Sequence, residues 1–304
     1  MRVETIPLRE GRDDVTLTTY VLDDSAVMLD RRPRPAVLVL PGGGYRFVSD
    51  REGEPVAMAF ASLGYHAFVL RYSVHGSPTA GAVEPREHSQ FPGPLVEVGL
   101  AMREVRARAG DWRVDVDRIA VCGFSAGGHV AALYGAYWSK PLVTDAVGVP
   151  AEQLRPAAMV LGYAVTDLVD VVASLRDSSE PGGTDHSALV TAHLGGTDVD
   201  EEVLVRVSPA RVLDADAPPA FVWATAGDRV VPPRHSLAVA LRLAAVGVPF
   251  ELHVFEEGTH GLSLATRASA GSPADLEPRA AAWFGLCASW LEERFALDVP
   301  DRSS

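Results

Sequence analysis

Six short apolar runs separated by segments of helix length constrain this chain more than any other feature in it. They occupy residues 36–40, 65–72, 118–123, 157–163, 220–226 and 249–255. The first, Ala36-Val37-Leu38-Val39-Leu40, is apolar at every position and bounded by Pro35 and Pro41. A run of that kind suits a strand covered on both faces, as strands of parallel sheets are. The intervening segments 52–63, 95–109, 125–138 and 233–246 read as helices; in the second, Leu95, Val98, Met102 and Val105 recur at helical spacing. Strands alternating with helices predict an α/β fold, a mostly parallel doubly wound sheet. Ahead of it, residues 3–8 and 15–22 flank the turn Gly11-Arg12-Asp13-Asp14 and predict an antiparallel hairpin at the sheet edge. Residues 166–211 contain no strong strand: a polar patch at 177–185 is followed by helix-like 187–194 and acidic 198–202. They read as a small helical cap inserted into one domain spanning residues 1–304. A last helix carries the stripe Trp283, Phe284, Cys287, Trp290 and Leu291. The long polar loop at 73–94 is of a size that is often functional.

The formal net charge of −13 argues against nucleic acid and anionic membrane surfaces as partners. The first residues lack the apolar core of a signal peptide, and no apolar run is long enough to cross a bilayer, so a cytoplasmic protein is expected. Cys122 and Cys287 fall on a predicted central strand and the last helix, which predicts two buried thiols rather than a disulfide. No Cys/His cluster has zinc spacing, so no metal is expected. Either a monomer or a homodimer is compatible with the sequence.

The run 118–123 ends in Gly123-Phe124-Ser125-Ala126-Gly127-Gly128-His129 and then passes into a helix. That is G-x-S-x-G at a strand-to-helix turn, which lifts the serine clear of the sheet at the positive end of the helix. A serine hydroxyl needs a base to take its proton, and the base needs an orienting acid. Asp228 follows the run 220–226, and His260 follows the run 249–255, in Gly258-Thr259-His260-Gly261. In a parallel sheet these loops share the edge that carries Ser125. Asp167, after the preceding strand, competes for the acid role. Pro41-Gly42-Gly43-Gly44-Tyr45 follows the first run, and its backbone N–H groups could face a developing oxyanion: Gly43 or Gly44 together with Ala126. No phosphate-loop or dinucleotide fingerprint accompanies the glycines, and no cofactor is called for.

These four motifs, in this order, resemble the α/β-hydrolase superfamily, and within it the acetyl-xylan-esterase-like or carbohydrate-esterase-like branch, over about residues 35–290. The resemblance implies hydrolysis of small carboxylic esters, with Ser125 as nucleophile, Asp228 as acid and His260 as base. Hormone-sensitive-lipase-like relatives carry histidine ahead of the glycine run; Pro41 stands there in this chain, which points to short acyl groups or acylated sugars rather than lipid. An acyltransferase or an amide or formamide hydrolase would use the same triad, and a non-catalytic binding module is the remaining alternative. Tyr45, His88, Phe124 and His186 are candidate substrate-binding residues, Tyr45 being equally readable as a surface aromatic that anchors its loop. His129, one turn beyond Ser125, reads as structural, as do His66 and His253 on strands. His75, His193 and His235 read as loop or exposed helix-face residues.

Overall fold

The computed structural model describes residues 1–29, 31–76, 87–176 and 186–299. Its eight strands form one sheet in the order β1-β2-β4-β3-β5-β6-β7-β8. These are β1 (Thr5–Arg9), β2 (Arg12–Tyr20), β3 (Arg34–Leu40), β4 (His66–Arg71), β5 (Val114–Phe124), β6 (Ala158–Gly162), β7 (Ala220–Thr225) and β8 (Phe250–Phe255). β1 and β2 make the antiparallel hairpin at one edge, and β2 pairs antiparallel with β4; every other pairing is parallel. All seven residues of β3 and all six of β7 are buried, as continuous apolar runs require, whereas β8 forms the opposite edge and is only partly covered.

The side-chain alternation of β3 divides the core. Ala36, Leu38 and Leu40 face one layer, with α2 (Gly93–Ala107), α4 (Ser125–Tyr137), α5 (Pro141–Val147) and α10 (Arg234–Ala245). Val37 and Val39 face the other, with α1 (Glu54–Ser62) and α11 (Ala282–Phe295). A four-residue turn of helix, α3 (Ala109–Trp112), leads into β5. Between β6 and β7 lie α6 (Leu168–Arg176), α7 (Ser187–Leu194), α8 (Glu201–Arg206) and α9 (Pro209–Val212), helices throughout; the polar patch at 177–185 lies outside the described residues. β3 pairs with β4 on one side and β5 on the other, so the chain reverses direction across the sheet here. The loops after β3 and β5 therefore diverge and open a crevice at the carboxyl ends of the strands, where ligands of open α/β sheets bind.

One predicted helix is corrected. Residues 52–63 do not form a single helix: a 3₁₀ turn covers Asp50–Glu52, the backbone breaks at Gly53 (φ −92°, ψ −101°), and α1 begins at Glu54. The break turns the Glu52 side chain inward.

Candidate active site

The turn after β5 is as tight as its glycines suggest. A Cβ on Gly123 would lie 2.3 Å from the Gly127 carbonyl oxygen, and one on Gly127 would lie 2.1 Å from that of Leu40. Ser125 itself takes a φ of 52°, left-handed backbone that a non-glycine residue rarely adopts. It stands at the first position of α4, where the leading N–H groups, that of Ala126 among them, have no acceptor within the helix.

Asp228 and His260 come to this serine from the loops after β7 and β8. The His260 Nδ1–H donates to Asp228 Oδ2 at 2.7 Å, and the Ser125 hydroxyl donates to His260 Nε2 at 2.8 Å. The carboxylate fixes the tautomer, because an acceptor at Nδ1 leaves Nε2 free to take a proton. Asp228 is 3% exposed, and its other oxygen accepts the N–H groups of Val230 (2.8 Å) and Val231 (2.9 Å), so the acid is locked before it meets the imidazole. Asp167 is used elsewhere: it receives the Arg211 guanidinium at 2.9 Å and caps the start of α6 through the N–H groups of Val169 and Asp170.

A cleft of about 500 Å³ opens over Ser125 and His260. Gly43 and Gly44 line one wall, and Phe47, Leu189, Val230 and Val231 supply apolar surface. Arg46, Arg51 and His186 add polar groups, His186 entering from the segment between β6 and β7. Glu52, which no sequence motif singles out, also lines the cleft. Its buried carboxylate accepts the Gly42 N–H at 2.7 Å and the Tyr163 hydroxyl at 2.5 Å.

Three of the sequence candidates for substrate binding lie away from this cleft. Tyr45 is neither at the acyl site nor on the surface. It is 1% exposed, donates its hydroxyl to His129 Nδ1 and stacks on His193 with ring centroids 4.4 Å apart. Phe124 is fully buried beneath the turn after β5 against Tyr163 and Trp283, and His88 is exposed in a 3₁₀ turn, Glu87–Ser89. His129 donates its Nε2–H to the Val207 carbonyl at 2.7 Å, and burial pushes its pKa down to about 4. It ties the glycine-run tyrosine to the helices between β6 and β7. His193 and His235 are buried, contrary to their reading as surface groups, because α7 and α10 turn those faces toward the core. Cys122 and Cys287 are buried free thiols, and burial pushes both pKa values up. Among the described residues, no group of three or more His, Cys, Asp or Glu is arranged to hold a metal ion, and no helix is long and apolar enough to cross a membrane.

A parallel sheet with a serine on the turn after β5, and an acid and a histidine on the loops after β7 and β8, defines an α/β-hydrolase. The chain belongs to the BD-FAE family, which it matches over residues 28–243, in the acetylxylan-esterase-like branch of the α/β-hydrolase esterases. An endo-1,4-beta-xylanase B of Butyrivibrio fibrisolvens is 32% identical over 237 residues, covering 76% of this chain and 33% of that protein. Among solved structures, the carboxylesterase Cest-2923 of Lactobacillus plantarum is 29% identical with a TM-score of 0.77, over 97% of this chain and 98% of that one. An acetyl ester-xyloside bifunctional hydrolase of Caldicellulosiruptor lactoaceticus is 32% identical with a TM-score of 0.75, over 98% of each chain. This chain spans 33% to 49% of the length of the first curated relatives it matches.

Proposed function

We propose that this chain is a serine carboxylester hydrolase acting on small esters of short acyl groups, acetyl foremost, with acylated sugars as the favoured class. The observation that carries the reading is the unbroken hydrogen-bond chain from Ser125 through His260 to Asp228, opening onto a cleft. His260 Nε2 takes the hydroxyl proton as Ser125 Oγ attacks the ester carbonyl. The N–H groups of Ala126 and of Gly43 or Gly44 receive the oxyanion, each donor contributing about 3 kcal/mol to the transition state. The imidazolium, held by Asp228, returns the proton to the departing alcohol. Water then enters by the same base and releases the acid and Ser125.

A cleft of about 500 Å³ is of small-molecule size, and its Arg46, Arg51 and His186 offer donors to a hydroxylated alcohol. Similarity to the acetyl ester-xyloside hydrolase and to an acetylxylan esterase of Xylanibacter ruminicola supports the same substrate class. Residues 166–211 serve as a cap within a single domain, a role supported by Ala188 and Leu189 in the cleft wall. The two buried free thiols support work in a reducing cytoplasm, and the substrate is a free small molecule rather than nucleic acid or a membrane.

The test is a panel of p-nitrophenyl esters of increasing acyl length, together with sugar acetates. Acetyl and propionyl esters are expected to turn over fastest, and Ser125→Ala to lose about 10⁴-fold or more in kcat. Near wild-type turnover by Ser125→Ala would sink the proposal. A preference for long acyl chains would overturn the substrate class. Dominant acyl transfer to an added alcohol, or faster cleavage of formamides, would move the same triad to the alternative activities.

A further inference from the structure

We infer that Glu52 is a positioning residue of this site, forming with Tyr163 a buried strut that fixes the glycine run against the histidine loop. The inference rests on the proposed reaction at Ser125. A carboxylate in an interior is costly unless its oxygens are hydrogen-bonded, and Glu52, 4% exposed, has both engaged. Among the described residues no cation pairs with it; neighbouring Arg51 is directed to the Ser269 carbonyl and to Asp275. Neutral donors satisfy it instead, one from the glycine run after β3 and one from Tyr163 just after β6.

At one end Oε2 accepts the Gly42 N–H, immediately before Gly43 and Gly44. A Cβ on Gly42 would lie 2.9 Å from Oε2 and 2.9 Å from Ser125 Cβ, so the carboxylate and the serine both pack against Gly42. At the other end Oε1 accepts the Tyr163 hydroxyl, whose oxygen accepts the Ser263 N–H at 2.9 Å. That donor directs the hydrogen of Tyr163 to Glu52. Ser263 follows His260 by three positions and is pinned at its other two polar groups. Its hydroxyl donates to the Arg51 carbonyl at 2.7 Å, and its own carbonyl accepts Trp283 Nε1–H at 2.9 Å. The Tyr163 ring also meets the His260 imidazole edge-on, with centroids 5.1 Å apart. Tyr163 and Ser263 take φ values of 37° and 54°, conformations that persist only when their surroundings hold them. The strut therefore spans the two groups that must be in register in the transition state, the oxyanion donors and the imidazole.

Glutamine at position 52 keeps the shape but offers a single acceptor oxygen. In either orientation of the amide, its NH₂ faces the Gly42 N–H or the hydroxyl hydrogen of Tyr163, and one link is lost. The experiment measures kcat and KM for p-nitrophenyl acetate in wild type, Glu52→Gln, Tyr163→Phe, the double variant and Ser125→Ala. Rates of the proteins that keep Ser125 are normalised to sites titrated with a fluorophosphonate, and folding is checked by thermal melting. Misplacement by about 1 Å predicts a fall of about 10- to 100-fold in kcat for Glu52→Gln, with KM held within about threefold. Tyr163→Phe removes both hydrogen bonds of the hydroxyl, the one to Glu52 and the one from Ser263, and should fall about 5- to 150-fold. The double variant should be no worse than the more impaired of the two single variants, because both changes break one strut.

A folded Glu52→Gln with wild-type kcat, a loss confined to KM, or losses that multiply in the double variant would overturn the inference. Should Glu52→Gln fail to fold, Tyr163→Phe decides: lowered kcat at constant KM supports the strut, and wild-type kcat overturns it. An inactive Ser125→Ala beside an unimpaired Glu52→Gln removes the strut alone, whereas an active Ser125→Ala removes the underlying reaction.

Discussion

A carboxylate beside an imidazole matters here because it selects which ring nitrogen carries the proton. Asp228 uses one oxygen for two backbone N–H groups and the other for His260. Asparagine at this position keeps its single oxygen on the two backbone N–H groups and turns its NH₂ to His260 Nδ1, which must then accept, leaving the proton on Nε2 in the wrong tautomer. Asp228→Asn is therefore expected to lower kcat by about 10⁴-fold, as the same change does in serine proteases, without unfolding the chain. Asp167→Asn, whose carboxylate is occupied by Arg211, should stay within about twofold of wild type; the reverse ranking in an acetyl-ester assay would reassign the acid. The positions of Ser125, Asp228 and His260 were legible because each follows an apolar strand by a few residues, and the sheet brings those ends together. Glu52 and Tyr163 were not: they meet across 111 residues of chain, and a carboxylate at the start of an apparent helix looks like any solvated first turn. Tyr45 misled for a similar reason, since its partners His129 and His193 lie on helices whose packing no local pattern reveals.

At the level of elements, the turn that carries Ser125 is held by close backbone approach, and its tolerance to substitution should be low. Gly127→Ala drives a Cβ toward the carbonyl oxygens of Leu40 and Pro41, at 2.1 and 2.4 Å, and neither backbone can retreat without moving β3. We expect a loss of more than about 3 kcal/mol in urea denaturation. Gly285, within α11, has open space where a Cβ would stand, with no atom within 4 Å, and Gly285→Ala should stabilise by about 0.5–1 kcal/mol through helix propensity. Equal melting temperatures for the two variants would contradict this account of the turn. Strand and helix identities were largely readable, because buried parallel strands are apolar throughout and the helices carry a 3.6-residue period. The break at Gly53 did leave a local mark, a glycine inside the run with Pro55 in the first turn of α1, but what it does, burying Glu52 against Gly42, did not.

Over the whole molecule, the buried histidines set a pH limit on stability. Burial lowers the pKa of His66, His129 and His235 from 6.5 to about 4, and that of His193 well below its usual value; among the described residues neither ring nitrogen of His193 has a hydrogen-bond partner. The unfolded chain binds these protons first as pH falls. Stability is thus fully present above about 6.5 and is lost progressively toward pH 4. Glu97, whose pKa burial raises, acts in the opposite sense, one group against four. The urea midpoint should decline steadily between pH 7 and 4.5, and a flat profile would show that these histidines are protonated in the fold. The parallel sheet and its hairpin could be inferred from the alternation of elements. The strand order could not, because the insertion of β4 between β2 and β3 depends on crossover geometry that leaves no mark on composition. The central claim, that His260 and Asp228 make Ser125 the nucleophile, is tested most directly by fluorophosphonate labelling followed by peptide mass mapping. The account predicts a single adduct on Ser125, loss of turnover in proportion to labelling, and no adduct in Ser125→Ala. Full turnover after complete labelling of Ser125, or turnover lost through an adduct elsewhere with Ser125 unmodified, would contradict it.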